Sequence, residues 1–146
     1  MNSNLLIQQW MEARTRFAKQ LPEIRTSDLV KKLAPNSNSI GFLIEHIAEV
    51  ELLFAKNVFG LKDVDIRAKT VIAGKDTGEW TDLGQLMKQV EYAEQKLAEA
   101  ISSIENWDEI IETKEFGKKT RAEALGRIIS HTAYHAGQIA LIKKYC

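Results

Sequence analysis

Four stretches of this 146-residue chain repeat apolar side chains at helical spacing, and that pattern constrains the fold more than any other feature. The first runs from about Asn4 to Gln20, with Leu6, Trp10, Ala13 and Phe17 on one face. Pro22 ends it, because a residue before proline is pushed away from the α region. The second begins near Ser37–Ser39, in a cluster of side-chain oxygens able to cap free N–H groups. Its stripe is Ile40, Leu43, Ile44, Ile47, Val50, Phe54 and Val58, and Gly60 is a suitable stop. The third follows Trp80, with Thr81 expected as N-cap, and its stripe runs from Leu83 through Leu86, Val90, Ala93, Leu97 and Ile101 to Ile104. The fourth opens on Thr120 and Glu123, spaced as a capping box, and buries Leu125, Ile128, Ile129, Thr132, Ala136 and Ile139.

Four such segments predict an all-α fold, a four-helix bundle forming one domain over residues 1–146. The connections, residues 21–38, 59–80 and 105–119, are long for a bundle. Long connections permit crossovers, so up-down-up-down order is not required. Ser27–Leu33 has room for one or two helical turns, and Ile110–Lys119 reads as a small hairpin around Phe116-Gly117.

Charge and cysteine usage remove whole classes of function. Twenty basic residues balance twenty acidic ones, so the basic face of a nucleic-acid protein is not expected. Low self-repulsion is compatible with a homodimer. The one cysteine, Cys146, excludes an internal disulfide framework and a cysteine-rich zinc site. No apolar run reaches the roughly 18 residues of a membrane span. The N-terminal MNSNLLIQQW lacks the basic and apolar regions of a signal peptide. These readings predict a cytoplasmic protein that acts on a small molecule rather than on nucleic acid or membrane.

The chain has three histidines. His131 and His135 are four apart on the fourth helix, which places both imidazoles on one face, one turn apart. His46 lies inside the second helix. On a wheel of about 100° per residue, all three fall on the flank of their apolar stripes, where a bundle core meets a cleft. Three imidazoles there could hold one divalent ion and leave coordination positions open, as catalytic zinc sites do. A water bound there becomes a nucleophile, or is displaced by a substrate thiolate. Imidazole suits Zn, Ni, Fe or Cu, so the metal stays open. The plainer alternative is a set of hydrogen-bonded structural histidines.

Two stretches carry a resemblance: Asn38-Ser-Ile-Gly-Phe-Leu-Ile-Glu-His46-Ile-Ala-Glu-Val-Glu51 and His131-Thr-Ala-Tyr-His135-Ala-Gly-Gln138. They resemble the DinB-like family of four-helix-bundle metalloenzymes, and the H-x-x-x-H-x-G-Q of the last helix is the most specific part. The resemblance implies that His46, His131 and His135 are metal ligands, that the helix order is crossed over, and that homodimers form, as in many members. It also implies a divalent ion (Zn, Ni or Fe) and a low-molecular-weight thiol as cofactors. The expected reaction is then transfer of that thiol to a small electrophile through a metal-bound thiolate. Metal-dependent hydrolysis by a bound hydroxide is the first alternative. A non-catalytic bundle that binds a ligand or dimerises is the second.

Other residues near the histidines are less directive. Glu49 is a weak candidate for a general base at the cleft mouth, and a solvated glutamate is the preferred reading. Glu51 falls near the middle of an apolar stripe and needs a partner; a cap or a pairing with a loop is expected. Gln138 could hydrogen-bond a ligand or a neighbouring backbone, and fixing helix contacts is the preferred reading. Gly41, Gly126 and Gly137 cost helix stability and so predict close helix approach. Tyr134 is read as packing or interface, and Trp10, Trp80 and Trp107 as core or loop anchors. Lys118-Lys119-Thr120-Arg121 is read as a solvated charge run.

Overall fold

The apolar stripes become the buried faces of four long helices. The computed structural model describes residues 3–114 and 116–146. Met1 and Asn2, which open the N-terminal stretch read above, and Glu115 within the expected hairpin lie outside the described residues. Helix α1 spans Ser3–Ala18 and buries Trp10, Arg14 and Phe17. Two short 3₁₀ turns, Leu21–Glu23 and Thr26–Asp28, occupy the first connection. Helix α2 spans Ile40–Leu53 and runs on as a wider π-type turn over Phe54–Val58. Ser39 is its N-cap: the hydroxyl accepts from the N–H of Phe42 at 3.2 Å.

Helix α3, Lys69–Ala73, is one turn long and lies within the second connection. Helix α4 spans Leu83–Ser102. Its cap is Asp82, one residue later than the expected Thr81; Asp82 Oδ1 accepts from the N–H of Gln85 at 3.0 Å. A carboxylate at this position satisfies an orphan N–H and also suits the positive end of the helix dipole. Strands β1, Ile110–Thr113, and β2, Gly117–Thr120, form the expected antiparallel hairpin, with Ile110 opposite Thr120. Helix α5, Arg121–Tyr145, starts directly after β2 on the Thr120–Glu123 capping box.

Helix α2 packs against α4 and α5, and α1 packs against α5 and α4, so the four long helices form an all-α bundle. The core runs through Phe17, Leu29, Ile44, Ile47, Leu52, Leu97, Ile101, Leu125 and Ile128, all essentially inaccessible to solvent. The three tryptophans are buried, as expected of anchors. No helix among the described residues is long and apolar enough to cross a membrane.

The glycines divide. A Cβ at Gly41 would sit 1.9 Å from the Trp80 carbonyl oxygen, so α2 approaches the Trp80 backbone as closely as glycine permits. At Gly126 and Gly137 nothing lies within 4 Å of an added Cβ. A close approach therefore holds for Gly41, against the loop backbone at Trp80 rather than another helix, and the expectation is corrected for the other two, whose surroundings are open.

Candidate metal centre

Helices α2 and α5 pack side by side, and this places His46 against His131 and His135. Nε2 of His131 lies 3.2 Å from Nε2 of His46. Ring centroids are 5.0 Å apart for His46 and His131, 5.0 Å for His46 and His135, and 4.5 Å for the pair on α5. One ligand atom from each histidine falls within 4.8 Å of the others, so the three could hold a metal ion. The spacing fits such a role. Two nitrogens bound about 2.0–2.1 Å from a tetrahedral zinc lie about 3.3 Å apart, close to the separation between His46 and His131.

The groups behind the imidazoles fix which nitrogen is free. Thr70 Oγ1 lies 3.0 Å from His46 Nδ1. The Thr70 hydroxyl donates to Glu49 Oε2, and the Thr70 N–H donates to the same oxygen at 2.8 Å. A hydroxyl has one hydrogen. With it committed to Glu49, the oxygen can only accept from His46, so Nδ1 carries the proton and Nε2 keeps its lone pair. On α5, His135 Nδ1 lies 2.6 Å from Gln138 Oε1, and the amide oxygen makes the same assignment there. Such outer partners orient metal-binding imidazoles. His131 Nδ1 is buried and has no hydrogen-bond partner among the described residues.

Electrostatics keep the cluster neutral. Burial, then the neighbouring His135, pushes His46 down to about 4. Burial, then His135, His46 and Arg127, pushes His131 down to about 3. Burial also lowers His135, against the opposing pull of Gln138. Neutral imidazole is the form that binds metals. One turn before Glu49, burial and the Glu49 carboxylate push Glu45 up to about 7.

Two expectations about α2 need correction. Glu49 is not solvated: it is 2% exposed, because α3 lays the Thr70 backbone over its carboxylate. Glu51 pairs with a helix rather than a loop. Arg14 of α1 donates from Nε to Oε1 at 3.1 Å and from Nη2 to Oε2 at 3.0 Å, and Thr132 donates to Oε1 at 3.1 Å. Arg14 Nη1 also pairs with Glu94 at 3.0 Å. Gln138 contacts a candidate ligand directly, which goes beyond fixing helix contacts.

A cleft of about 700 Å³ opens beside His46 and His131. Val50, Leu53, Phe54, Val58, Val71 and Phe116 make its apolar walls. Tyr134 lines it and is 65% exposed, so it faces the cleft mouth rather than a packed interior. A second cavity of about 480 Å³ includes Glu45 and Glu49 but none of the histidines.

Thr70 and Arg14 were not legible as site residues. Thr70 sits on a helix too short to show periodicity. Arg14 did leave a signal: it stands four residues after Trp10 and three before Phe17, on the buried face, where a charge calls for an opposite one.

No curated protein matches the chain. The family model described as the DinB superfamily matches residues 9–139, which takes in all three histidines, Arg14, Thr70 and Gln138. The chain belongs to the DinB superfamily.

Proposed function

We propose that this protein is a divalent-metal-dependent enzyme that transfers a small thiol to an electrophile. The observation that carries this reading is the convergence of three neutral imidazoles, two of which, His46 and His131, line an apolar cleft. His46, His131 and His135 would hold the ion, with Zn, Ni or Fe all suited to imidazole. A divalent ion there would supply a Lewis acid that lowers the pKa of a thiol reaching it.

The chain's own groups favour transfer over hydrolysis. Val50, Leu53, Phe54 and Val58 keep one wall of the cleft apolar, which disfavours bulk water near the reacting atoms. Hydrolysis needs a base to take a proton from water. Glu49, the candidate base on α2, lines the second cavity rather than this cleft, and its Oε2 accepts twice from Thr70. Cys146 is exposed and lines no described cavity, so the thiol would arrive as a small molecule. A purely structural histidine cluster is disfavoured too. It would leave His131 Nδ1 buried without a partner among the described residues.

Elemental analysis of protein purified without an affinity tag tests the metal. About one equivalent is expected in the wild type and little in His46→Ala, His131→Ala or His135→Ala. A wild-type content near zero would sink the reading. Incubation with a generic electrophile, with and without small thiols, tests the reaction. Thiol-dependent turnover that vanishes with the metal is expected, whereas turnover without thiol would favour hydrolysis.

A further inference from the structure

The cleft has a charged end. On α5, Glu123, Arg127, His131 and Tyr134 all line it, at the spacing of one helix face. Arg127 stands four residues before His131, a rise of about 6 Å. Lys119 joins it from β2. Strand alternation sends Lys118 and Lys119 to opposite faces. The neighbouring cations are already neutralised: Lys118 lies 3.9 Å from Glu112, and Arg121 lies 2.7 Å from Glu109. Lys119 and Arg127 are in no ion pair among the described residues. Arg127 instead rests over the Phe116 ring at 5.9 Å, against the cleft wall. Among the described residues the carboxylate in the lining is Glu123, which accepts from the Thr120 N–H at 2.8 Å and the Thr120 hydroxyl at 3.2 Å and feels the charge of Lys119. An apolar chamber of this volume suits a small organic ligand, and Lys119 and Arg127 set against the single charge of Glu123 leave a net positive lining that calls for an anion.

We propose that this cleft binds a small organic acid with an apolar body, its anionic group held by Arg127 and Lys119 about one helical turn (~6 Å) from His131. This names the class of ligand used at the metal-dependent site. It rests on that reading only for the reaction at the ligand's other end.

The test uses metal-free protein, treated with chelator, so that no metal can bind the carboxylate. Phenylbutyrate and phenylbutanol are matched in shape and differ in charge. Titration calorimetry should show the acid binding roughly tenfold more tightly at low salt. The advantage should shrink as salt rises. It should disappear in Lys119→Met/Arg127→Met, whose methionines keep apolar stems. Should the double variant fail to fold, each single variant is expected to lose roughly threefold in affinity for the acid. Equal binding of the two probes, a preference that survives both substitutions, or no saturable binding of either probe to folded protein would overturn the proposal. Metal content, measured separately, distinguishes this failure from failure of the metal reading.

Discussion

Thr70 Oγ1 lies 3.0 Å from His46 Nδ1, at the ring edge opposite the nitrogen that faces His131. The Thr70 hydroxyl has spent its proton on Glu49, so this contact holds His46 in one tautomer. Thr70→Val removes the acceptor and keeps the shape. Metal affinity is expected to fall about 10- to 100-fold, while Thr70→Ser, which retains the hydroxyl, stays near wild type. Nitrogen-15 NMR of the metal-free protein checks the cause: the Nδ1–H signature of His46 should be lost in Thr70→Val and kept in Thr70→Ser. An unchanged tautomer with unchanged affinity would show that Thr70 only packs.

The bundle was legible because burial of an amphipathic stripe needs nothing beyond local sequence. Capping box and hairpin were legible for the same reason. His131 and His135 could be paired on one helix, since four residues is one turn. The rest depends on which elements meet. Glu49 looked solvated because its own helix turns it outward, and only α3, more than twenty residues away in sequence, covers it. Gly137 looked like a contact point because its cost was visible while its open surroundings were not. Gln138 was recognisable as near the site, but the direction of its side chain toward His135 Nδ1 had to come from the structure.

The Arg14–Glu51 pair predicts an asymmetric response to substitution. Both side chains are buried, at 3% and 0% exposure. Burial, with a smaller push from Glu94, holds the Glu51 carboxyl above its ordinary value against the opposing pull of the guanidinium and the Thr132 hydroxyl. Arg14→Met leaves Glu51 with Thr132 as its remaining donor and is expected to cost about 3–5 kcal/mol. Arg14→Met/Glu51→Leu removes both charges and should recover most of that loss, because apolar replacements of buried pairs are often neutral. Urea unfolding of the single and double variants measures both values. Equal destabilisation of the two would mean that the pair adds more than it costs to bury.

The glycines give a prediction of opposite signs. Gly41→Ala drives a Cβ into the Trp80 carbonyl, and backbone cannot swing aside as a flexible side chain can. A loss of about 1–3 kcal/mol is expected from overpacking. Gly137→Ala sits on an exposed helical position with open space, and a gain of about 0.5–1 kcal/mol is expected from helix propensity. Thermal unfolding of the two variants should move the midpoint down for the first and up for the second.

Acid should release the first connection from the last helix. Asp28 is 3% exposed and is bound by Lys143 of α5 at 2.8 Å, by Lys31 at 2.8 Å and by the Arg25 N–H at 2.9 Å. The Lys143 and Lys31 contacts, then the Arg25 N–H, hold its carboxyl well below the ordinary 3.8. A depressed carboxyl contributes stability that is fully present above its unfolded pKa and is lost as pH falls through the folded one. Wild-type stability should therefore hold through neutral pH, begin to fall near pH 4, and keep falling below it. Asp28→Asn removes the charge at every pH. It should cost about 2 kcal/mol at pH 7 and almost nothing at the acid end, so the two unfolding curves converge as pH drops. Curves that stay parallel from neutral to acid would place the acid sensitivity at another carboxylate.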